Sequence, residues 1–186
     1  QQLRDAQLTP FLVDQHFIDS VAEAVYAQNV KYINGRDLIM PAHILLMVPQ
    51  QASLADKQRI AQRADSIYQA IKAGSSFEEM AQRYSNDQGS AQRGGQLQWM
   101  VPDAQLKEFS EAAYKLHKGE VGAPFEAPYG YQIVKMTDRR RYGSYEEERN
   151  EILAILKQRD IEAQSAEVKL QRLMAENGRS REAVLD

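Results

Sequence analysis

Hydrophobic residues near the N-terminus recur at helical spacing. Thr9 precedes a proline, which disfavours helical dihedral angles there, and Asp14 can cap a new helix. After Asp14, the apolar positions on one helix face are Phe17, Val21, Ala24 and Val25. The helical pattern of apolar residues ends at Asn34 and Gly35, a dipeptide that is typical of turns. We therefore expect an N-terminal helical segment over residues 1–38.

The middle of the chain, residues 39–138, opens with a short apolar run that predicts a buried strand centred on residues 43–47. Pro41 favours an edge position for this strand, or marks its first residue, because proline cannot donate a ladder hydrogen bond. Helical stripes follow over residues 54–73 and 77–84. Serines stand immediately before both stripes and are suited to cap the helices.

A loop rich in glycine and polar residues, 85–95, separates these helices from the rest of the region. Two short strands, 125–128 and 131–136, are predicted to form a hairpin-like pair. Between the loop and the strands lies a further helical stripe, which consists of Leu106, Phe109, Ala113 and Leu116. Because the strands are few and separated by helices, the pattern predicts an α+β fold.

The last apolar stripe predicts one long C-terminal helix over residues 144–178, opened by a capping box of Ser144 and Glu147. At about 1.5 Å per residue this helix would be roughly 50 Å long, more than a domain of about one hundred residues can bury. We therefore expect it to break or to pack against the N-terminal helices.

Composition narrows the class of protein. Apolar residues make up 43% of the chain and charged residues 26%, which is typical of a soluble globular protein. The net charge of −3 gives no reason to expect a nucleic-acid partner or an anionic membrane. The absence of cysteine excludes disulfides, thiolate catalysis and cysteine-ligated metals. The sequence contains no run of about 18 apolar residues, so it predicts no transmembrane helix.

Residues with catalytic chemistry form no familiar hydrolytic or redox constellation. The three histidines, His16, His43 and His117, lack the spacing to a carboxylate that a metal site needs. A nucleophile elbow and a phosphate-binding glycine loop are also missing from the sequence. Taken alone, His43 in a predicted strand is more typical of a structural histidine. We expect no metal and no cofactor. A protein whose reaction needs neither would lack these constellations in its sequence.

Four segments carry a resemblance to a known family. They are AHILL (42–46), YSNDQGSAQRGGQL (84–97), FxxAAY (109–114) and KGEVGAPFEAPYGYQIVK (118–135). In this order and spacing they resemble the parvulin family of peptidyl-prolyl cis-trans isomerases, especially its SurA- and PrsA-like bacterial forms. The resemblance covers roughly residues 40–138 and implies a small antiparallel sheet surrounded by helices, with flanking helical chaperone segments.

The resemblance also implies a catalytic group of three residues. His43 stands where the family has its first-strand histidine. Asp87 stands where the family has cysteine or aspartate beside the reacting amide. Gln132 stands where a second buried histidine is usual, so a pair of imidazoles is replaced by an imidazole and an amide.

For substrate binding, the resemblance implies that Leu97 and Phe109 line a pocket for the proline ring. Gln105 occupies a position that is usually methionine, and neighbouring Leu106 can turn inward in its place. Tyr129 falls at an aromatic or hydroxyl position of the groove. A further part of the apolar wall is assigned to Trp99 together with Met100. The glycines of the loop 85–95 are expected to adopt positive φ and let it wrap over one side of the groove.

The function that follows from the resemblance is isomerisation of X-Pro bonds in unfolded or exported, proline-containing polypeptides, by non-covalent binding in an apolar pocket. The expected location is the periplasm or another exported compartment. Gln132 and Gln105 leave open an alternative, a catalytically weak or silent domain that serves as a peptide-binding chaperone module. A third interpretation, a helical assembly scaffold, depends only on the long C-terminal helix.

Overall fold

The computed structural model of the chain describes residues 13–101 and 105–177. Its elements, in chain order, are α1 (Gln15–Ile33), β1 (Leu38–Met47), α2 (Leu54–Lys72), α3 (Phe77–Tyr84), α4 (Gln88–Ala91), α5 (Lys107–Tyr114), β2 (Phe125–Ala127), β3 (Gly130–Arg140), α6 (Tyr145–Gln158) and α7 (Ile161–Asn177). The chain divides into two compact units, one of Gly35–Tyr142 and one of the segments on either side of it. None of the helices in the described ranges has the length and apolarity needed to cross a membrane.

The unit of Gly35–Tyr142 is built on an antiparallel sheet. In the part of the chain described, this sheet has three strands in the order β1-β3-β2. The register pairs His43 with Val134 and Leu45 with Gln132, and on the other side of β3 it pairs Phe125 with Gln132. The small sheet among helices confirms the α+β class and the architecture that the resemblance implied.

Alternation along β1 divides its side chains between the two faces of the sheet. Ala42, Ile44 and Leu46 are buried against α2 and α3, in a cluster completed by Ala64, Ile67, Phe77, Ala81 and Ile133. On the opposite face a second cluster contains Ile39, Phe109, Ala113, Leu116, Val134 and Met136. His43, Leu45 and Met47 point to this second face, which we call the site face.

The glycine-rich segment after α3 covers the outer edge of β1. The backbone N–H of His43 donates to the Gly95 carbonyl (2.9 Å), and the N–H of Leu97 donates to the Pro41 carbonyl (3.0 Å). β1 is therefore an edge strand, as predicted, and Pro41 lies at a register shift after Met40. Pairing with this segment removes free backbone groups from the edge.

The loop is more ordered than its composition predicts. Residues 88–91 form the helical turn α4. Gly94 and Gly95 adopt positive φ (68° and 81°), as expected, but Gly89 does not. Gly95 is also required for space, because a Cβ built there would overlap the carbonyl oxygen of His43. The backbone of the loop can therefore approach β1 closely only with glycine at position 95.

An arginine near the end of β3 holds the C-terminal end of α5. Arg139 donates from Nη1 to the carbonyls of Tyr114 (2.8 Å) and Leu116 (3.0 Å). Its Nε donates to Asp37 Oδ2 at 2.8 Å. Carbonyls at the end of a helix lack partners within the helix, and a cation is favourable there. Arg139 thus fixes the position of the helix that carries Phe109.

The second unit, described by itself, contains α1, α6 and α7. Their apolar side chains meet in a cluster of Ile18, Ala22, Ile152, Leu156 and Ile161. Asp14 caps α1 as predicted, since its side chain accepts from the Phe17 N–H at 3.1 Å. Phe17, Val21 and Val25 of the predicted face pack against this cluster, but Ala24 is exposed, and the buried residues Ile18 and Ala22 were not predicted.

The C-terminal stripe forms two helices rather than one long helix over residues 144–178. The capping box of Ser144 and Glu147 opens α6 as predicted. Asp160 then adopts a left-handed conformation (φ 55°), which interrupts the helical hydrogen bonding before α7 begins. The break lets both helices contact α1, as the length argument required.

Gly95→Ala is expected to destabilise the unit of Gly35–Tyr142 more than Gly119→Ala does. Both glycines have positive φ, so both variants lose roughly 1–2 kcal/mol. Only Gly95 lacks room for a Cβ, which adds about 2 kcal/mol for forced displacement of the loop. Urea unfolding followed by fluorescence of Trp99, the single tryptophan, measures both changes in this unit. Equal losses in the two variants would contradict the tight approach of Gly95 to β1.

Candidate active site

His43 lies at the centre of a hydrogen-bonded group on the site face. Its Nε2 lies 2.7 Å from Asp87 Oδ2, and its Nδ1 lies 3.0 Å from Gln132 Oε1. The side chain of His43 is 12% exposed and that of Asp87 is 33% exposed. The structure therefore brings together the three residues to which the resemblance assigned catalysis.

Strand register and a pinned loop produce this arrangement. Gln132 pairs with Leu45, two residues from His43 on the same face of β1, so its amide reaches the imidazole diagonally. The loop is fixed beside β1, since the Asn86 N–H donates to the Leu45 carbonyl (2.7 Å) and the Leu45 N–H donates to Ser85 Oγ (3.1 Å). Asp87 follows directly and extends toward His43.

Ser90 completes the group, although sequence reasoning did not identify it. Its side chain is buried, and its hydroxyl donates to Asp87 Oδ2 at 2.6 Å. This hydrogen bond is the main cause that lowers the pKa of Asp87, and the hydrogen bond with His43 is the second, whereas burial acts in the opposite direction. Asp87 is therefore a carboxylate at neutral pH. The helical turn α4, which begins directly after Asp87, places Ser90 within hydrogen-bond distance of the Asp87 carboxylate.

The charge of Asp87 determines which nitrogen of His43 carries a proton. A carboxylate only accepts hydrogen bonds, so Nε2 of His43 must donate to it. Nδ1 then faces the Gln132 amide, which offers both a donor and an acceptor. The amide can thus satisfy either the neutral or the protonated imidazole. A histidine at this position could not do so without changing its own protonation or tautomer.

An apolar wall adjoins the polar group. The ring of Phe109 meets the imidazole of His43 edge to face, with centroids 5.9 Å apart and an interplanar angle of 85°. Phe109 is 3% exposed and belongs to the cluster against which Leu97, Met100 and Phe125 pack, all three partly buried. Leu97 and Phe109, 12 positions apart in the chain, therefore share one apolar region beside the imidazole. Phe125 was missed, although its strand was predicted, because its place beside this cluster depends on its pairing with Gln132 across the sheet.

The remaining predicted binding residues are more exposed than Phe109. Gln105 is exposed, and Leu106 does not turn inward: it precedes α5 at the N-cap and is 41% exposed. Tyr129 lies in the turn between β2 and β3 and is 62% exposed. Trp99 is half-buried, with the guanidinium of Arg140 5.2 Å from its ring centroid.

Among the described residues, no group of three or more histidine, cysteine, aspartate or glutamate side chains is placed to hold a metal ion. What the site offers is a carboxylate and imidazole pair next to a dry aromatic and aliphatic surface. Such a site can bind and desolvate a polar bond without covalent chemistry.

This combination of fold and site defines a parvulin-type domain. The model of the family described as the PPIC-type PPIASE domain, a rotamase, matches residues 43–138, just over half of the chain, and the chain belongs to this family.

Curated relatives include foldases and chaperones. The foldase protein PrsA of Geobacillus kaustophilus is 33% identical over 147 residues, which are 79% of this chain and 48% of that protein. The chaperone SurA of Alkalilimnicola ehrlichii is 40% identical over 121 residues, which are 64% of this chain and 28% of that protein. The chain thus spans about half the length of these relatives or less.

Solved structures agree with the fold. The crystal structure of the peptidylprolyl isomerase PrsA from Bacillus anthracis matches with a TM-score of 0.51 and 28% identity, over 84% of this chain and 70% of that chain. A PpiC-type peptidyl-prolyl cis-trans isomerase domain matches with a TM-score of 0.53 and 26% identity, over 59% of this chain and 96% of that chain. This second match covers almost the whole of the solved isomerase domain.

Ser90→Ala is expected to raise the pKa of Asp87 toward the ordinary value of about 3.9, because it removes the main hydrogen bond to the carboxylate. With the folded pKa below the unfolded one, Asp87 contributes stability that is present above the unfolded value and is lost as the pH falls through the folded value. The stability difference between wild type and Ser90→Ala should therefore shrink below about pH 4. A carbon-13 NMR titration of the Asp87 carboxyl group measures the shift directly.

The matched control is Ser66→Ala, since Ser66 is an exposed serine whose hydroxyl donates to the Gln62 carbonyl on α2. This variant should leave the titration of Asp87 unchanged. An unaltered Asp87 titration in Ser90→Ala would show that the Ser90 hydroxyl does not stabilise the carboxylate.

Proposed function

We propose that this chain catalyses cis-trans isomerisation of X-Pro bonds in unfolded or exported polypeptides. The observation that carries the proposal is the edge-to-face contact of Phe109 with His43, which joins an apolar surface to the hydrogen-bonded group of Asp87 and Gln132. Membership in the PPIC-type family supports the activity. The names of the relatives, foldase and chaperone, support polypeptides as substrates.

The obstacle to this reaction is kinetic. Partial double-bond character gives the peptide bond a barrier of about 18–20 kcal/mol. The two X-Pro isomers differ by only about 0.5–1 kcal/mol, and they exchange without catalysis in roughly 10–100 s. Each tenfold acceleration requires about 1.4 kcal/mol of binding that is selective for the twisted bond.

The site can supply selective binding without a nucleophile. The proline ring packs against Phe109 and Leu97, while the carbonyl of the preceding residue remains free to rotate beside Asp87. A planar amide places more negative charge on its oxygen than a twisted one does, because twisting removes the charge-separated resonance form. The carboxylate of Asp87 therefore disfavours the planar state more than the twisted state, and exclusion of water strengthens this effect.

His43 and Gln132 act by holding the carboxylate in place. The imidazole donates to Asp87 from Nε2, and the Gln132 amide keeps the ring oriented at Nδ1. Location outside the cytoplasm is part of the proposal. It is supported by the resemblance to exported parvulin chaperones, and a chain without cysteine is compatible with an oxidising compartment.

Phe109→Leu is expected to lower kcat/KM for a short X-Pro peptide by at least about tenfold, or about 1.4 kcal/mol, because leucine cannot keep both the flat proline contact and the edge-to-face contact with His43. NMR exchange spectroscopy on the peptide measures the rate. The matched control is Phe77→Leu, since Phe77 is also 3% exposed but packs on the opposite face of the sheet.

Equal activity loss in the two phenylalanine variants would mean that only stability had been affected, and would contradict the proline pocket. Peptide binding without isomerisation in the wild-type chain would instead support the alternative of a peptide-binding chaperone module.

Gln132→His is expected to raise the isomerisation rate by about tenfold, which corresponds to about 1.4 kcal/mol, because it restores the second buried histidine that is usual in the family at this position. Gln132→Leu, which removes the hydrogen bond to His43 Nδ1, is expected to lower the rate. The same NMR exchange measurement compares both variants with the wild type. An unchanged or lower rate for Gln132→His would show that Gln132 does not limit the isomerisation rate.

A further inference from the structure

The pairing of β1 with β3 is interrupted by a bulge at Thr137. Met40 on β1 pairs with Asp138, but the next residue, Pro41, pairs with Met136, so Thr137 has no partner on β1. An extra residue of this kind redirects the side chains around it, and bulges are common beside active sites for that reason. The bulge lies in the same strand as Gln132 of the candidate site.

The bulge turns Arg139 toward the site face. Met136 belongs to the apolar cluster on this face, and regular alternation would place Asp138 there next. Because Thr137 is an extra residue, Arg139 takes that position instead and pairs with Ile39, a member of the same cluster. From there the guanidinium reaches the carbonyls at the end of α5. One part of the site, the helix with the aromatic ring, thus depends on the bulge.

The side chain of Thr137 holds a second part, the loop that covers β1. Its hydroxyl donates to Gln96 Oε1 at 2.9 Å. At the other end of this amide, Nε2 donates to the Leu97 carbonyl at 2.9 Å and to the Pro41 carbonyl at 3.2 Å. Carbonyls only accept hydrogen bonds, so the amide must present its NH₂ group to them and its oxygen to the hydroxyl. Three partners therefore fix the orientation of the Gln96 side chain.

These contacts hold the backbone of Leu97 on both sides. Its N–H donates to the Pro41 carbonyl at 3.0 Å, and its carbonyl accepts from the Gln96 amide. A residue held at both groups has lost most of its backbone freedom, and the direction of its side chain is then set. The Leu97 side chain packs against the cluster of Phe109. The contacts thus lead from the bulge to the apolar wall beside His43.

Two features favour a role in the site over a role in stability alone. The Pro41 carbonyl already accepts from the Leu97 N–H, so the amide adds a second hydrogen bond to an acceptor that has a partner. Leu97 is only partly buried, and within the described ranges its carbonyl accepts from the Gln96 amide alone. Loss of the amide would therefore loosen Leu97 in particular, while the buried core stays intact.

We propose that Thr137 is a positioning residue for the proline pocket and that it acts through Gln96 to fix Leu97 in the apolar wall. The proposal rests on the proposed function, because that function places the proline ring against Leu97. A wall that is ordered before the peptide arrives avoids the entropy cost of ordering on binding. Thr137 therefore acts on the affinity for substrate more than on the rate at which bound substrate reacts.

Thr137→Val removes the hydroxyl and keeps the shape of the side chain, whereas Thr137→Ser keeps the hydroxyl. Thr137→Val is expected to raise both KM and Kd for a short X-Pro peptide about fivefold, as is typical for the loss of one hydrogen bond, and to change kcat less than about twofold. Thr137→Ser should stay within about twofold of the wild type in both constants. NMR exchange spectroscopy and NMR titration measure these values.

A double-mutant cycle with Leu97→Ala tests whether the effect passes through Leu97. In the Leu97→Ala background, Thr137→Val should weaken peptide binding less than about twofold. A further loss of about fivefold in that background would show that Thr137 acts independently of Leu97 and would overturn the proposal. NMR order parameters of the Leu97 methyl groups give a second readout without substrate, and they should fall in Thr137→Val.

The matched control compares Gln96→Glu with Gln92→Glu, which introduces the same charge at an exposed glutamine of the same loop. Only at position 96 does the new carboxylate face two carbonyls to which it cannot donate. Gln96→Glu should weaken binding at least about fivefold, and Gln92→Glu should leave it unchanged. Equal losses in the two variants would overturn the proposal.

The same measurements separate this proposal from the proposed function. Absence of isomerisation in the wild-type chain, together with a Thr137→Val effect on Kd that disappears in the Leu97→Ala background, would overturn the enzymatic function but support the positioning role of Thr137. Isomerisation that is unaltered in both Thr137→Val and Gln96→Glu would support the enzymatic function but overturn the positioning role.

Discussion

The close pairing of the loop after α3 with the outer edge of β1 is the constraint on which the site depends. The His43 N–H bonds to the Gly95 carbonyl, and the loop reaches this distance only because position 95 has no side chain. Before this contact the loop carries Asp87 to the His43 imidazole, and after it the chain carries Leu97 to the apolar cluster of Phe109. One stretch of backbone thus brings both the charge and part of the apolar surface to a single strand.

The chemistry that results is based on geometry rather than on reactive groups. Asp87 is kept ionised by a buried serine hydroxyl and by the imidazole, and the imidazole is kept in orientation by an amide. Hydrogen bonds between these side chains hold their orientations. Strand register and α4 set the positions of the residues that carry them. Such support suits the proposed task, which is to favour a twisted bond over a planar one.

Hydrophobic spacing predicted the elements well where local signals coincide. The stripe of α2 with its serine cap, and the edge strand marked by Pro41, both appear as expected. Spacing failed where a turn overrides it. The C-terminal stripe continues through Asp160, yet the left-handed backbone there divides the helix. Leu106 fits the stripe of α5 but lies at its cap, so its side chain stays in solvent.

The candidate site was predictable only in part for a similar reason. His43, Asp87 and Gln132 could be assigned by resemblance, but Ser90 is one polar residue in a polar loop until α4 folds it back onto Asp87. The role of Phe125 depends on which residue lies across the sheet, and pairing register is a long-range property that periodicity does not contain.

The central claim is that Leu97 and Phe109 together clasp a prolyl ring beside the His43 imidazole. Intermolecular nuclear Overhauser effects between an isotope-labelled chain and a proline-containing peptide test it most directly. The account predicts that the Cγ and Cδ protons of the proline give cross-peaks to the Phe109 ring and to the Leu97 methyl groups. Cross-peaks from the proline only to residues outside this cluster, with none to Phe109, would contradict it.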